Sequence, residues 1–294
     1  MGVAICAAKS FVVGFRCGPS RHGSVHERRL QSISTVTEGT NRIAAVIPAR
    51  LASGRFPGKV LHDFHGLPMV EHVRRRALLC GMFSDVVVAT CDLKIAEVTE
   101  GFGGKVIMTS NEHVNGTSRA AEAASNLECS HIVLLQGDEP LLLPRHLEMF
   151  LQVMVDDPSW SAWNATGPIE HEDELDRYSF VKCAISRNDR ILYCFRRTPS
   201  YAKFDQQVEF VRKVLGIIAF RKDFLLSLRT HSASPIELAE SIEQMRIIEN
   251  GYAMRSVPVS HSLPSVNEPD EVAIVNEHLE ANPEQQKILQ SILP

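Results

Sequence analysis

The sequence predicts an α/β protein with a doubly wound, mostly parallel, Rossmann-like sheet and a small antiparallel addition. Three observations predict it. Short apolar runs alternate with helical patterns between Arg42 and Pro140, as repeated βαβ units require. The connections between them are short, which favours parallel strands with helices on both faces. After Pro144, strand-like runs follow one another with few helices between them, which predicts antiparallel strands.

Four apolar runs of strand length form the first half of the predicted sheet. In chain order they are residues 43–47, Asp85–Thr90, Lys105–Met108 and His131–Leu135. Helical spacing of apolar residues predicts helices over residues 67–79, from residue 93 to Gly101, and from Gly116 onward. Asp92 precedes the second of these helices and is its predicted N-cap. Each predicted helix therefore connects one strand to the next.

The second half of the chain predicts further strands and three helices. The strands are predicted at residues 162–169, 180–186, 190–195, 213–220 and 253–259, and a helix at 146–155. Ser234 and Glu237 form a capping box that begins another helix. We expect this helix to carry a core stripe and to end at residues 250–251; the stripe comprises Leu238, Ile242, Met245 and Ile248. A last helix follows Pro269.

The composition limits the class of protein. The chain has 294 residues, 44% of them hydrophobic, which allows one large domain over residues 42–294. A net charge of −4 argues against nucleic acid as the main partner, and no apolar run reaches the ~20 residues of a membrane span. Seven scattered cysteines without a CxxC pair favour reduced thiols in a cytoplasmic protein.

Residues 1–41 differ from the rest of the chain. They are rich in Ser, Gly, Arg and His, and they lack clear periodicity. No apolar core resembling a secretory signal is present, whereas the composition is compatible with a transit peptide. We predict a disordered or extension segment and exclude it from the fold.

A basic loop follows the first predicted strand. It reads IPARLASGRFPGK over residues 47–59, and its prolines and glycines prevent a regular helix or strand. Arg50, Arg55 and Lys59 are thereby carried at the carboxyl end of a strand, the edge where open α/β sheets bind ligands. Backbone N–H groups and positive charge suit a polyphosphate. The alternative is an ordinary basic surface loop.

A second polar stretch, QGDEP, follows the predicted strand at residues 131–135. It should lie at the same edge as the basic loop. Asp138 offers a hard oxygen ligand beside phosphate-binding cations, as Mg²⁺ requires when it bridges protein and nucleotide, and Gly137 allows close backbone approach. The alternative is a turn in which Asp138 and Glu139 cap the next helix. Together, the two stretches favour a magnesium–nucleotide site.

Several motifs resemble those of one enzyme family. IPARLASGRFPGK, VATCD, EGFGGKVIMTS, NGTSR, QGDEP, the LG of KVLGIIAF, and SPIELAESIEQMRIIENGY occur in the order found in CMP-Kdo synthetases, the 3-deoxy-manno-octulosonate cytidylyltransferases, which are close to CMP-sialic acid synthetases. The resemblance covers about residues 42–280. It implies a Mg²⁺-dependent nucleotidyltransferase in which the anomeric hydroxyl of an acidic sugar attacks the α-phosphorus of CTP, giving a CMP-sugar and pyrophosphate. It also points to lipopolysaccharide biosynthesis, although the sequence alone leaves the pathway open.

The resemblance assigns roles position by position. Arg55, Lys59 and Asp138 would be catalytic, with Lys59 neutralising charge on the departing pyrophosphate. The nucleotide-binding set would be Arg50, Ser53, Arg55, Lys59, Asn115, Gly116, Thr117, Arg119 and Gln136, where residues 115–119 resemble a turn that reads cytosine and ribose. The acceptor-binding set would be Lys182, Arg196, Glu243 and Gln244. Without the resemblance, the last two would be interpreted as an exposed helix face. The metal ligands would be Asp138 and Asn267.

This chain departs from the family at several positions. The second metal-binding aspartate corresponds to Asn267, so a formal charge is lost and metal affinity should fall. Val214 replaces a histidine before LG, and Phe195 replaces a small hydroxyl residue. The asparagine of an NxVK-like segment corresponds to Ser179 or Phe180, depending on the alignment. The nucleotide side therefore resembles the family more closely than the acceptor side does.

Three hypotheses follow. The first is a CTP-dependent cytidylyltransferase acting on Kdo. The second keeps the chemistry but uses another ulosonic acid or a small phosphonate acid as acceptor, because Val214, Phe195 and Asn267 alter the acceptor side. The third is a catalytically degenerate paralogue that binds nucleotide or a partner, for which Asn267 is the reason. Family members commonly pair, so we expect a homodimer.

Overall fold

The computed structural model describes residues 41–294, which belong to one compact unit. The predicted segment 1–41 lies outside the described residues, except for Asn41. Within residues 41–294 no helix is both long and apolar enough to cross a membrane.

Eleven strands are present in this part of the chain. They are β1 Ile43–Ala49, β2 Asp63–Phe64, β3 Leu67–Pro68, β4 Asp85–Thr90, β5 Lys105–Met108, β6 His131–Leu135, β7 Ala162–Gly167, β8 Lys182–Ile185, β9 Ile191–Phe195, β10 Val211–Arg221 and β11 Arg255–Pro258. The predicted strand positions are confirmed, with ends that differ by a few residues.

Ten α-helices surround the sheet in the same residues. They are α1 Met69–Leu78, α2 Leu93–Gly101, α3 Gly116–Ala124, α4 Pro144–Asp156, α5 Phe204–Gln207, α6 Lys222–Ser227, α7 Pro235–Glu240, α8 Gln244–Glu249, α9 Glu271–Ala281 and α10 Pro283–Ile292. Short 3₁₀ turns occupy Lys59–Leu61, Glu172–Leu175 and Leu228–Thr230.

The main sheet has nine strands. Its order is β11-β7-β10-β6-β1-β4-β5, and β8 joins β10 to β9. The strands β6, β1, β4 and β5 are parallel neighbours, whereas β10 runs antiparallel to β6, β7 and β8. This confirms the predicted mostly parallel sheet with an antiparallel addition. The carboxyl ends of β1, β4, β5 and β6 therefore share one edge.

Long strand β10 connects the two parts of the sheet. Its later residues pair with β6, as in Ile217 opposite Leu135, while Lys213 pairs with Lys182 of β8. The pairing of β10 with β7 shifts register between Val214 and Ile218. Such an irregularity bends a strand and turns its side chains. As a result, β10 places Lys213 beside the hairpin of β8 and β9.

Two apolar layers lie on the two faces of the sheet. One includes Val73 of α1 and Phe150 of α4, and the other includes Ala121 of α3. The central strand β1 contributes to both layers, since its successive side chains alternate between the faces. A third cluster joins Val275 and Leu279 of α9 to the neighbourhood of β2 and β3. The two C-terminal helices are thereby packed beside the basic loop.

The prediction of a single helix after Ser234 is wrong. It consists of α7 and α8, which are separated at Ser241, where φ is 54°. Leu238 is 69% exposed and does not belong to the core stripe, whereas Ile242 and Met245 are buried as expected. The left-handed residue ends α7 and redirects the chain. Half of the predicted capping box is present: the N–H of Ser234 donates to Glu237 Oε2 at 3.2 Å, whereas the Ser234 hydroxyl has no partner within residues 41–294.

Three smaller differences lie near the basic loop. Strand β1 continues through Pro48 to Ala49. Beyond Val46 it pairs with β4 alone, so the side that faces β6 needs no backbone N–H donor, and proline is tolerated there. Residues 67–68 form β3, so α1 begins at Met69. Asp92 occupies the N-cap position of α2, but its carboxylate makes no capping hydrogen bond and accepts instead from the backbone N–H of Leu51.

Candidate active site

A cleft opens at the carboxyl edge of the parallel strands. A larger cavity of about 1030 Å³ and a smaller one of about 330 Å³ lie side by side there. Both are lined by Arg50, Arg55, Asn115, Gln136 and Asp138. The smaller cavity also contacts Ser53, Lys59, Gly116 and Arg119, so most of the predicted nucleotide-binding residues lie together.

The basic loop is held from both sides. Asp92 Oδ2 accepts from the N–H of Leu51 at 2.8 Å, and the N–H of Gly58 donates to the carbonyl of Leu51 at 2.9 Å. Gly58 has a φ of 73°, a conformation that a residue with a Cβ adopts only at a cost. The closed loop presents Arg50 and Arg55 toward the cleft.

The basic loop meets QGDEP and the segment around Asn267. Lys59 Nζ lies 2.6 Å from Asp138 Oδ2 and 2.8 Å from the carbonyl oxygen of Val266. Arg55 donates to Asn267 Oδ1 at 3.3 Å and lies 3.7 Å from Glu268 Oε1. The predicted convergence of Lys59 and Asp138 is confirmed. Each predicted metal ligand therefore contacts a cation of the basic loop.

The N-terminus of α3 is organised by side chains from other elements. Asn115 caps α3 by accepting from the N–H of Ser118 at 2.9 Å. Glu243 Oε2 accepts from the N–H of Thr117 at 3.0 Å, and Glu243 Oε1 accepts from the Gln136 amide at 3.4 Å. Glu243, predicted to bind the acceptor, lines the larger cavity and also fixes two predicted nucleotide-binding residues.

Arg119 forms the floor of the smaller cavity. It is buried, and its guanidinium donates to Thr109 Oγ1, to the carbonyl of Ser110 and to Cys91 Sγ. Thr117 lines neither of the two cavities with its side chain; its contribution is the backbone contact with Glu243. Gly116 lies where a Cβ would approach Pro48 Cγ to 3.2 Å, so a larger residue would crowd β1.

Two carboxyl groups in the cleft have raised pKa values. Burial, and then the nearby charge of Asp138, raises the pKa of Glu139 to about 7, even though its Oε1 accepts from the N–H of Gly216 at 2.7 Å. Burial also raises the pKa of Glu243. A Cβ on Gly216 would meet Glu139 Oε1 at 2.5 Å, so this position requires glycine. The sequence offered Glu139 only as a turn residue and did not indicate its contact with β10.

Two predicted acceptor-binding residues do not line the cleft. Lys182 is buried, and its ammonium group donates to the carbonyls of Arg177 and Arg196. Burial lowers the pKa of Lys182 to about 8. Arg196 donates to the carbonyls of Glu240 at 2.7 Å and Tyr178 at 2.9 Å. Both side chains therefore bind backbone carbonyls behind the residues that line the cleft.

Gln244 also has an internal partner. Its amide donates to Asn164 Oδ1 at 2.9 Å in the interior, although the residue contributes to the cleft lining. Neither Gln244 nor Glu243 lies on an exposed helix face, because the break at Ser241 directs the start of α8 inward.

Sequence reasoning missed several residues in the part of the larger cavity that the smaller one does not share. Glu174 and Lys213 form a buried ion pair of 2.6 Å, and Arg177 and Phe180 lie beside it. These residues come from the turn before β8 and from β10, so no local motif joins them. Of the departures noted above, Ser179, Phe180 and Val214 line this part of the cavity, whereas Phe195 is buried and does not.

The donor groups near Asp138 fit a hard cation. Asp138 offers carboxylate oxygens and Asn267 an amide oxygen, and the N–H of Val266 donates to the Asp138 carbonyl at 2.9 Å, which keeps the two segments adjacent. Within residues 41–294 no three His, Cys, Asp or Glu side chains form a metal-binding group. Two protein ligands suit Mg²⁺, which retains waters and takes further oxygens from phosphate.

Comparisons with known proteins agree with this geometry. The family model for cytidylyltransferase matches residues 44–257. A 3-deoxy-manno-octulosonate cytidylyltransferase of Geobacter metallireducens is 38% identical over 249 residues, covering 81% of this chain and 98% of that protein. The Escherichia coli protein of the same name is 36% identical over 229 residues, covering 78% of this chain and 92% of its own.

A solved structure resembles the chain in fold and sequence. It is a CMP:2-keto-3-deoxy-manno-octonic acid synthetase in complex with CTP, with a TM-score of 0.76, 36% identity, and coverage of 81% of this chain and 98% of that one. A 4-diphosphocytidyl-2C-methyl-D-erythritol synthase from Anaerococcus prevotii has a TM-score of 0.57 at 12% identity, which supports the fold alone.

Proposed function

The chain belongs to the cytidylyltransferase family of nucleotidyltransferases, and on this premise we propose that it transfers CMP from CTP to Kdo (3-deoxy-manno-octulosonate), releasing pyrophosphate. The observation that carries the proposal is the meeting of Lys59 and Asp138 in a cleft that extends past both residues. One end offers cations to a triphosphate, and the other has room for an acidic sugar. Relatives more than 35% identical carry the Kdo name.

The basic loop would bind the triphosphate. Arg50 and Arg55 line both cavities, and Ser53 and Lys59 line the smaller one. Phosphoryl transfer is accelerated mainly by positioning and by stabilising charge on the phosphate oxygens, which fixed cations provide. Asn115, Gly116, Arg119 and Gln136 would bind the cytidine. Glu243 accepts from the Gln136 amide and from the N–H of Thr117, and Arg119 donates to Cys91 and Thr109, which directly follow β4 and β5.

Asp138 and Asn267 would hold Mg²⁺. Bound there, the ion would neutralise phosphate charge and orient the α-phosphate. Asp138 contacts Lys59 and Asn267 contacts Arg55, so a metal ion bound by these two residues would compete with both cations. Lys59 and Arg55 would then be available to the phosphate oxygens.

The transfer step breaks the bond between the α-phosphorus and its bridging oxygen. The anomeric oxygen of the acceptor forms the new bond to that phosphorus and releases its proton to the solvent, and the electron pair of the broken bond leaves with pyrophosphate. The protein's part is to align the acceptor hydroxyl opposite the leaving group and to exclude water. The two adjoining cavities, which share Gln136 and Asp138, suit this in-line arrangement.

A second acceptor is favoured by one feature of the cleft. Phe180 and Val214 present apolar surface to its acceptor end, where polar groups would otherwise bind sugar hydroxyls. Another ulosonic acid or a small phosphonate acid, with fewer hydroxyls to satisfy, is therefore the second candidate. Each hydroxyl left without a partner costs about 1–3 kcal/mol.

The setting of the reaction follows from the same family. We propose a cytoplasmic homodimer that serves lipopolysaccharide biosynthesis and acts on small molecules without nucleic acid or membrane partners. All five cysteines of residues 41–294 are free thiols, as a reducing compartment favours.

The test is turnover by the purified protein. Pyrophosphate release is measured with CTP, Mg²⁺ and a panel of acceptors: Kdo, a second ulosonic acid and a small phosphonate acid. CTP binding is measured separately by calorimetry. Preference for Kdo supports the first proposal, and preference for another acid supports the second. Binding of CTP without turnover of any acceptor would favour the degenerate paralogue, and no binding of CTP would exclude all three.

A further inference from the structure

The cations that line the cleft fall into two groups. Most of them form a hydrogen bond or an ion pair with another side chain of the protein. These pairs are Arg55–Asn267, Lys59–Asp138, Arg119–Thr109, Lys213–Glu174 and Arg246–Glu237. Within residues 41–294, the guanidinium groups of Arg50 and Arg177 have neither a hydrogen bond nor an ion pair. Arg50 lies in the basic loop at the nucleotide end. Arg177 lies at the opposite end, where the acceptor would bind.

Arg177 is oriented by an aromatic ring. Its guanidinium carbon lies 5.0 Å from the centre of the Phe180 ring, and Lys213 Nζ lies 5.4 Å from the same ring. Contacts of this kind orient a cation without occupying its hydrogen-bond donors. Lys213 is already neutralised by Glu174 at 2.6 Å, whereas Arg177 is exposed and keeps its five N–H donors.

The backbone beneath Arg177 is fixed. Its carbonyl accepts from the buried ammonium of Lys182 at 2.8 Å, and the carbonyl of the next residue, Tyr178, accepts from Arg196. The turn before β8 is therefore tied to β8 and β9 by two charged donors. The two cations that the resemblance assigns to acceptor binding thus hold the backbone of residues 177–178.

We propose that Arg177, stacked on Phe180, is the residue that binds the carboxylate of the acceptor. The proposal rests on the function given above and specifies how this chain recognises its acidic substrate. A guanidinium binds a carboxylate through two parallel hydrogen bonds, which fix orientation as well as charge. Lys182 and Arg196 are positioning residues for the turn that carries Arg177.

The first test compares Arg177→Gln and Arg177→Lys with the wild type. Losing a charge-assisted pair should raise KM for the acidic acceptor roughly 10- to 100-fold, while KM for CTP changes less than about twofold. Arg177→Lys keeps the positive charge but not the planar pair of N–H donors. Its KM for the acceptor should therefore lie between those of the wild type and Arg177→Gln. Arg197→Gln is the matched control, because Arg197 is 81% exposed and pairs with Asp176 outside the cleft lining.

A second measurement separates recognition from a general structural effect. The acceptor is supplied either as the acid or as its neutral primary amide. The wild type should prefer the acid, and this preference should collapse in Arg177→Gln but not in Arg197→Gln. An unchanged preference in Arg177→Gln, or equal KM increases in both variants, would overturn the assignment.

The outcomes also distinguish this inference from the proposed function. If the wild type turns over an acidic acceptor and Arg177→Gln matches it, only the Arg177 assignment fails. If the wild type binds CTP but neither binds nor turns over Kdo, another ulosonic acid or a phosphonate acid, both fail. Calorimetric titration of the acceptor in EDTA provides the binding measurement without turnover.

Discussion

Lys59 and Asp138 are 79 residues apart in the chain, yet Lys59 Nζ lies 2.6 Å from Asp138 Oδ2. The pair is largely shielded from solvent, with side-chain exposures of 12% and 25%. A second hydrogen bond to the carbonyl of Val266 holds the ammonium in place. The charge of Lys59 would therefore compete with a metal ion for the carboxylate that we assign to the metal.

Replacing Lys59 should separate metal binding from catalysis. In Lys59→Met, Asp138 loses its competing cation, so Mn²⁺ without nucleotide should bind roughly 10- to 100-fold more tightly, as expected for one charged hydrogen bond. Turnover should fall by at least about 100-fold, because a cation on the triphosphate is lost. Electron paramagnetic resonance of free Mn²⁺ measures the first effect. Equal Mn²⁺ affinity in both proteins would contradict the competition.

The amide at Asn267 should limit metal affinity. Asn267→Asp adds a carboxylate beside Asp138, and we expect the dissociation constant of Mn²⁺ in the presence of CTP to fall about tenfold, roughly 1.4 kcal/mol. Asn267→Ala, which removes the amide oxygen, is the control and should weaken binding. Should all three proteins bind Mn²⁺ alike, Asn267 is not a ligand.

We predict that Glu243 contributes to nucleotide binding, although the family resemblance assigns it to acceptor binding. Glu243→Ala leaves the N–H of Thr117 and the amide of Gln136 without their acceptor, which costs about 1–3 kcal/mol, or roughly 5- to 150-fold in the Kd for CTP. Glu243→Gln keeps one carbonyl oxygen and should lose less. Glu148→Ala, which removes an exposed carboxylate of α4 that has no hydrogen bond or ion pair within residues 41–294, is the control. An unchanged Kd for CTP in Glu243→Ala would argue for an acceptor role alone.

Stability should fall in mild acid partly because of His72. Burial, outweighing its hydrogen bond to the Phe64 carbonyl, lowers the pKa of His72 from 6.5 to about 4. The neutral ring stabilises the folded state fully above pH 6.5, and this contribution is lost as the pH falls through 4, up to about 3 kcal/mol. Denaturant unfolding from pH 7 to 4 should therefore show a shallower decline in His72→Gln. Parallel curves for the two proteins would refute this account.

Local patterns in the sequence determined the layered fold and the edge at which the site forms. The apolar runs that became β1, β4, β5 and β6 are short and connected by helices, and such units join in parallel with a fixed handedness. Because β1 and β6 run parallel, their carboxyl ends lie at one edge. The meeting of Lys59 and Asp138 could therefore be expected from order along the chain alone.

Only the tertiary structure decided which side chains face the cleft. The left-handed Ser241 divides one predicted helix and turns Glu243 toward α3, a choice that no periodicity reveals. Lys182 is directed inward because β8 lies between β9 and β10, and Arg177 is left outside on the preceding turn. Strand identity follows from local patterning, whereas the direction of a long charged side chain depends on which distant carbonyls and rings pack against it.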